Sequence, residues 1–437
     1  MTLPQELGTR GTAWTPETRL YSEGVVVGTG GGPLVVPPGS DIRRVPGTGF
    51  LDVTSGSLPS AAMATPEQVE SNRERLSMAE IPGAGSPYAG MAREALIDID
   101  VLTFPNGAAV AAGSPYWRYV WPRDAGFMAV ALAVAGRHAE AAHVLRYVAS
   151  MQEDDGGWEA RYLPDGSGDV PDNRGRQLDG IGWSLWAAWA CDRTGGAADA
   201  FLPMVRAGIT AALDSLDPRT RLPWASQDFW EMDVDEATLG TAAPLLLALR
   251  CGRDLLRNDE PELAGRAARA AGELAGAIRD RFGAHGYSRR LSGHGGRDAS
   301  VAFLLPPFGP EEPAVLDAWR AAMSATAVPN GGVRPGEEWS DHSTAWTPQV
   351  SLYALTAAAT GDRVLAHRLL SWLDLRRTAL GSLPEKVTAD GRPAAVAPLG
   401  LTGATVLLAL AALDGRALPV PRDDTSAATI RMQTQHR

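Results

Sequence analysis

The sequence has few cysteines, and they are not spaced for a disulfide framework or a structural metal. Cys191 and Cys251 are the only two among 437 residues, and neither belongs to a CxxC pair. Disulfide scaffolds need more cysteines, and zinc sites need closely spaced ligands. The seven histidines are scattered, with no HExxH cluster among them. We therefore expect a reducing compartment, no protein metal site and no cofactor.

Long apolar runs and an excess of positive charge are also missing. No stretch approaches the roughly 18 consecutive apolar residues of a membrane span, and Met1 to Leu20 lack the basic and apolar regions of a secretory signal. Lys plus Arg number 40 against 51 Asp plus Glu, which gives a net charge of −11. Nucleic acid and anionic membranes would be repelled on average. We expect a cytoplasmic chain with neither as a partner; the sequence leaves the oligomeric state open.

Tryptophan is abundant instead. The chain contains 13 tryptophans, and 45% of its residues are hydrophobic against 21% charged. This balance excludes disorder and allows a substantial core. Indole rings fill cores, but they also provide flat apolar platforms on which sugar rings stack.

Residues 1–85 read differently from the rest of the chain. Short β-branched runs are broken by Gly and Pro clusters there, which predicts a small β-rich N-terminal arm. Gly28 to Gly32 resembles a phosphate-binding loop. However, Pro33 stands where the last glycine of GxGxxG belongs, and a strand follows instead of a helix. We interpret this segment as a hairpin turn.

Residues 86–420 are dominated by Ala- and Leu-rich segments with helical periodicity. The predicted helices are 88–104, 124–135, 137–153, 179–195, 198–217, 236–252, 259–282, 297–305, 312–328, 344–359, 361–377 and 399–413. In pairs they predict an all-α fold, an (α/α)6 barrel or toroid with its functional loops at one end. Segments that are apolar nearly all round, such as 238–248 and 403–412, favour this ring over an open solenoid or two bundles. Residues 421–437 are polar and aperiodic, which predicts a disordered tail.

The segment Tyr116 to Asp124 packs four aromatics and an Arg–Asp pair just ahead of a predicted helix. Arg123 and Asp124 together offer donors and acceptors for several hydroxyls, and Trp121 offers a face for the C–H side of a sugar. The alternative is that Asp124 simply caps the helix, since Asp is a favoured N-cap residue.

A second polar motif, Gln177 to Gly180, precedes another predicted helix. Its Asp179 has the same capping alternative. Three tryptophans spaced three apart lie on one face of that helix, a pattern more typical of a core than of a binding platform. They are Trp183, Trp186 and Trp189.

Two glutamates in loops are candidates for acid–base chemistry. Cleavage of an acetal requires a protonated acid beside the leaving oxygen and an ionised partner. Phe229 and Trp230 next to Glu231 are expected to desolvate it and raise its pKa, which suits an acid. Lys386 next to Glu385 is expected to favour the charged form, which suits a base. Taken singly, each glutamate is more often a solvated surface residue.

These motifs together resemble glycoside hydrolase family fifteen, the glucoamylase and glucodextranase family. In chain order they are YVWPRD at 119–124, QLDG at 177–180, FWE at 229–231 and PEKV at 384–387. The resemblance covers about 90 to 413. It implies an (α/α)6 barrel that releases glucose from the non-reducing ends of α-glucosides, with inversion to β-glucose.

The resemblance also implies roles for particular residues. Glu231 matches the general acid and Glu385 the general base. Arg123 and Asp124, with Trp121 beside them, match the group that holds the hydroxyls of the terminal glucose. The other substrate-binding positions that it implies are Gln177, Asp179, Trp230, Arg334 and Trp339.

The chain departs from the family pattern at several positions, and alternatives stay open. Met232 stands where members often have a second carboxylate, and Leu401 stands where a Trp-Ser pair usually begins the last helix. These departures motivate a catalytically silent sugar-binding protein on the same barrel as one alternative. A trehalase-like hydrolase of the same family is another. An isomerase needs a base such as histidine near the sugar, and the motif loops contain only His342.

The substrate prediction depends on the expected location of the protein and on its module content. A cytoplasmic enzyme without an evident starch-binding module is expected to meet imported short sugars. We therefore expect short α-gluco-oligosaccharides of the isomaltose and maltose type as substrates.

Overall fold

The structure, a computed structural model, describes residues 19–196 and 199–422 and is mostly helical. Its α-helices, α1 to α12 in chain order, are Pro66–Met78, Ala89–Leu102, Pro122–Val134, His138–Ser150, Asp179–Arg193, Leu202–Asp214, Leu239–Leu256, Pro261–Ala277, Pro313–Ala325, Thr347–Ala359, Arg363–Asp374 and Gly400–Leu413. Its strands, β1 to β5, are Gly24–Val27, Pro33–Val36, Ala345–Trp346, Lys386–Val387 and Pro393–Ala394. All of the predicted helices are present, and the segment predicted at 297–305 is a 3₁₀ helix, Ala299–Leu304.

Helix α1 was not among the predicted helices. Its sequence is polar and it buries no residue, so it has no apolar period to detect. Thr65 starts it with a capping box: its hydroxyl accepts from the backbone of Gln68, whose side chain accepts from the backbone of Thr65. The arm ahead of residue 86 therefore holds a helix as well as strands.

Five helices and the 3₁₀ helix are buried on most sides and form a closed circle of contacts. Each member packs on the next, and the last packs on the first, in the order α3, α5, α7, Ala299–Leu304, α10 and α12. The remaining helices from α2 onward pack on the outside of this circle. The inner helices have apolar residues nearly all round because neighbours cover them on most sides.

The tryptophan stripe on α5 lies in the core, as predicted. Trp183 and Trp186 are completely buried, and Trp189 is nearly so. The Trp183 ring centroid lies 4.8 Å from that of Phe303, and the Trp186 ring centroid lies 5.3 Å from that of Phe308. The interior of the ring is therefore filled by aromatic side chains.

The N-terminal strands form an antiparallel hairpin in which Gly24 lies opposite Val36 and Val27 opposite Pro33. This confirms the interpretation of Gly28 to Gly32 as a hairpin turn. A Cβ on Gly32 would lie 2.2 Å from the Phe104 ring, so the turn packs too closely for a side chain there.

Arg44 joins the N-terminal segment to α2. Its Nε donates to the carbonyl of Val25 at 2.9 Å, and its guanidinium pairs with Glu94 at 3.1 Å and with Asp98. Arg44 and Asp98 are both buried. Two buried charges compensate each other here, so removing one leaves the other unpaired.

Within residues 19–196 and 199–422, no helix is long and apolar enough to cross a membrane. The predicted tail at 421–437 lies outside the described residues apart from its first two positions. The division of the chain into an arm, a barrel and a tail stays a prediction.

Replacing Arg44 should destabilise the fold. In Arg44→Met, Asp98 keeps its burial and loses its cation, so the free energy of unfolding should fall by about 3 to 5 kcal/mol in urea titrations. Arg43→Met is the matched control, because Arg43 is exposed and its replacement should cost little. A loss below about 1 kcal/mol in Arg44→Met would show that the pair does not hold the arm.

Candidate active site

The loops that precede the inner helices meet at one end of the ring. They supply the predicted site residues: Trp121 comes just before α3, Gln177 before α5, Glu231 before α7 and Glu385 before α12. The side-chain contacts described below link these loops to one another.

Arg123 is the centre of a buried polar group at the start of α3. Its guanidinium donates to Asp179 at 2.8 Å and to Gln177 at 3.3 Å, and it lies 3.5 Å from Asp124. The N-caps of α3 and α5 are Trp121 and Leu178. The two aspartates lie inside the first turns and pair with Arg123, so capping does not account for them.

Burial changes the protonation of this group. It raises the pKa of Asp124 to about 6, although the Arg123 cation opposes the shift, and the charges of Asp179 and Glu385 add to it. Burial also raises the pKa of Asp179, again opposed by Arg123. The influence of Glu385 on Asp124 indicates that Glu385 lies near the polar group.

A narrow recess borders the polar group, with Arg123, Glu159 and Gln177 in its wall. The Gln177 side-chain nitrogen is buried and has no hydrogen-bond partner among the described residues. It is therefore a donor that a bound sugar hydroxyl could use. A second recess, of about 350 Å³, lies beside Gln177 and Trp224, and neither Glu231 nor Glu385 lines it.

Glu231 is held by two donors. Its Oε1 accepts from the indole N–H of Trp121 at 2.8 Å, and its Oε2 forms an ion pair with Arg174. Its backbone has φ of 54°, an uncommon conformation for a non-glycine residue. Its side chain is 26% exposed.

The expected desolvation of Glu231 by its aromatic neighbours stays a prediction, and both rings also have partners elsewhere. The Phe229 ring lies 5.9 Å from Phe303. The Trp230 ring lies 5.1 Å from Trp339, and its indole N–H donates to Asp298 at 3.1 Å.

Arg334 precedes the loop that carries Trp339, and its guanidinium donates hydrogen bonds to backbone carbonyls. It donates to the carbonyls of Gly336 at 3.0 Å, Glu337 at 2.9 Å and Ala325 at 3.2 Å. A Cβ on Gly336 would lie 2.2 Å from the Trp230 ring, so glycine lets the ring rest on this loop. Arg334 thus fixes the loop that carries Trp339.

Glu385 is buried in the last of these loops, with 9% of its surface exposed. Burial raises its pKa, while the Lys386 cation and a hydrogen bond with the Trp117 side chain lower it. Lys386 acts in the expected direction, but burial outweighs it. Oε2 of Glu385 is buried and has no hydrogen-bond partner within the described part of the chain.

The two glutamates belong to one rim of aromatic side chains. Trp121 donates to Glu231, and Trp117, four residues earlier, lies close enough to Glu385 to lower its pKa. On the other side, the Trp339 ring lies 5.2 Å from Trp346, and the Lys386 ammonium lies 4.1 Å from the Trp346 ring centroid. Every predicted site residue is therefore connected to this rim or to the adjoining polar group, Arg334 through its loop.

Sequence reasoning missed several residues of the site. Trp117 could have been found, since it lies in the dense aromatic segment that was singled out. Arg161 and Arg174 could not, because they lie in a polar loop with no periodicity and no motif. Asp228, buried and paired with Arg289 at 2.8 Å, looks in the sequence like any loop aspartate.

Sequence comparison finds one short similarity. No protein-family model matches the chain. An uncharacterized glycosyl hydrolase of Methanocaldococcus jannaschii is 32% identical over 97 residues, which are 22% of this chain and 15% of that protein. The match thus spans only a small part of the relative.

Comparison with solved structures finds glycosidases. A wild-type glycosidase superimposes with a TM-score of 0.64 at 21% identity, over 79% of this chain and 99% of its own. A bacterial glucoamylase complexed with acarbose has a TM-score of 0.64 at 15% identity, over 81% and 59%. A glycoside hydrolase family 15 glucoamylase from Hypocrea jecorina has a TM-score of 0.56 at 16% identity, over 74% and 69%. The chain therefore shares their fold, which confirms the predicted resemblance at that level.

The raised pKa of Asp124 predicts a pH-dependent stability. This pKa is about 6 in the folded chain against 3.8 ordinarily, so between about pH 4 and 6 the folded state binds more protons than the unfolded state. The free energy of unfolding should therefore fall as pH rises through this window, by up to about 1 kcal/mol per unit from this group.

Asp124→Asn removes that contribution, so its stability should fall less steeply with pH than that of the wild type in urea titrations across the window. Asp169→Asn, at an exposed position, is the control and should follow the wild type. Parallel curves for Asp124→Asn and the wild type would contradict the raised pKa.

Proposed function

We propose that this chain is a glycoside hydrolase, an inverting, exo-acting enzyme that releases β-glucose from the non-reducing ends of short α-gluco-oligosaccharides. The observation that carries the proposal is the placement of Glu231 and Glu385, far apart in the sequence, beside one aromatic segment: Trp121 donates to Glu231, and Trp117 lies close enough to Glu385 to lower its pKa. Such a pair is what acid–base cleavage of an acetal requires.

We also propose an (α/α)6 barrel as the architecture. The closed circle of inner contacts supports it, with the 3₁₀ helix Ala299–Leu304 as one inner member. Because each outer helix leads into an inner one, the loops before the inner members gather at the same end. A pocket at this end takes one terminal sugar, which gives exo action.

In this proposal Glu231 protonates the glycosidic oxygen, and Glu385 takes a proton from a water on the opposite face of the sugar. Inversion needs room for that water, with the carboxyl groups about 6.5 to 9.5 Å apart. Arg123 and Asp124, with Gln177, hold the hydroxyls of the terminal glucose, since together they offer both donors and acceptors. Trp121 lies beside them as the apolar face.

Each glutamate needs a change in its surroundings for this reaction. Glu231 is ion-paired with Arg174, and burial raises the pKa of Glu385. Substrate binding must therefore change both. Breaking the Glu231–Arg174 pair lets Glu231 take a proton, and a water that donates to Oε2 of Glu385 favours its ionised form.

The substrate class is supported by a structural neighbour. The bacterial glucoamylase with this fold is complexed with acarbose, which supports a small carbohydrate ligand here. A cytoplasmic location, where short sugars would be the available substrates, is part of the same proposal.

Removing either carboxyl should abolish most turnover. Glu231→Gln and Glu385→Gln each remove a proton-transfer group, so kcat for glucose release from maltose or isomaltose should fall by about 100-fold to 10,000-fold. Glu338→Gln, at an exposed position, is the control and should keep its activity. Rates near those of the wild type in either variant would contradict the assignment.

The stereochemistry of the first product tests the mechanism. Proton NMR of a fresh digest of maltose or isomaltose should show β-glucose first, with α-glucose appearing only later by mutarotation. Initial α-glucose would mean retention. Trehalose in the same assay tests the trehalase-like alternative, which would be favoured if trehalose alone were cleaved.

A further inference from the structure

Two arginines from the loop before α5 lie at the rim beside Glu231. The side chains of Arg161 and Arg174 are only 4% and 7% exposed. The Arg161 guanidinium lies 4.6 Å from the Tyr119 ring centroid and 5.0 Å from that of Trp121. Arg174 is ion-paired with Glu231. Two buried cations therefore adjoin the proposed general acid.

Two carboxylates in the described part of the chain face these two cations. Asp172 serves both arginines, since it is ion-paired with Arg161 and lies 3.5 Å from Arg174. The second carboxylate is Glu231. The Nε atoms of Arg161 and Arg174 are buried and find no hydrogen-bond partner in the described ranges.

The arginines also disfavour each other's charge. Burial and the neighbouring Arg161 cation lower the pKa of Arg174 to about 10, opposed by Asp172. A buried cation that loses its partner is costly. Protonation of Glu231, which catalysis requires, would remove one of the two carboxylates from this cluster.

An oxyanion would replace the missing carboxylate. Carboxylates and phosphates match the planar fork of a guanidinium, and the unused Nε donors of both arginines are suited to them. A general acid lies about 2.6 to 3.2 Å from the oxygen that it protonates. Arg174, bound to that acid, therefore lies next to the sugar that leaves with this oxygen.

We propose that Arg161 and Arg174 form an oxyanion-binding site, and that the preferred substrate is an α-glucoside whose leaving part carries a carboxylate or phosphate. This rests on the proposed function. Binding of the oxyanion to Arg174 frees Glu231 from its ion pair, so that Glu231 can hold the proton that it transfers to the glycosidic oxygen.

The test compares two substrates that differ in this charge. Maltobionate and maltitol share the α-1,4 linkage and an open-chain leaving part, but only maltobionate carries a carboxylate. The wild type should cleave maltobionate with a kcat/KM higher by about tenfold or more. Equal values, or a preference for maltitol, would overturn the proposal.

Variants test whether Arg174 is the source of the preference for maltobionate. Arg174→Gln should lose it, and Arg174→Lys should keep part of it because the charge remains. Arg176→Gln is the matched control: this guanidinium lies two residues away, is 40% exposed and pairs with Asp155, so the preference should persist. A preference that survives in Arg174→Gln would overturn the assignment.

Binding measurements separate this proposal from the proposed function. Calorimetry should detect gluconate and inorganic phosphate binding to the wild type, and much weaker binding to Arg174→Gln, even if no substrate is cleaved. Absence of this binding would overturn the oxyanion site, whereas absence of cleavage alone would overturn the hydrolase. If added phosphate accelerates maltitol cleavage and maltobionate has no advantage, the oxyanion is free phosphate and the substrate proposal is wrong.

Discussion

The hydrogen bond from the Trp121 indole to Glu231 joins the loop before α3 to the loop before α7. Trp121 is the N-cap of α3, directly before Pro122, which begins the helix. The same backbone therefore positions Trp121 and the neighbouring Arg123. If Trp121 moved, Glu231 would lose a donor and Arg123 would shift relative to Asp179. The proposed acid and the sugar-holding group depend on a single helix start.

The local charge around the site is opposite in sign to the net charge of the chain. The chain as a whole is acidic, with a net charge of −11, yet arginines are concentrated around the rim: Arg123, Arg161 and Arg174 all act on one another or on the same carboxylates. The overall charge repels large polyanions. The local charge, buried and weakly screened, can still attract one small anionic group.

The helices could be predicted because their signal is local. An apolar period specifies which residues face the ring, and it was strong from residue 88 to 413. It failed for α1, which is stabilised by a capping box rather than by burial. Within the site, motifs pointed to Trp121, Arg123 and Asp179, and the fold places them together.

The neighbours of the site carboxyls could not be predicted in the same way. Phe229 and Trp230 are next to Glu231 in sequence, but the Phe229 ring packs on the 3₁₀ helix and the Trp230 ring on the loop of Trp339. Arg174, which does bind Glu231, is 57 residues earlier in the chain. The pKa of a carboxyl depends on what folding brings near it, and adjacency along the backbone is a poor guide to that.

The 3₁₀ helix Ala299–Leu304 is shorter than the other members of the inner ring. It has 6 residues, so it rises about 12 Å, whereas the 13 residues of α3 rise about 20 Å. The 3₁₀ helix therefore contributes less backbone to the inner wall than the other inner helices do. Beside it, the Phe308 ring packs on Trp183 and Trp186. At that sector of the ring the inner wall consists of aromatic side chains as well as helix backbone.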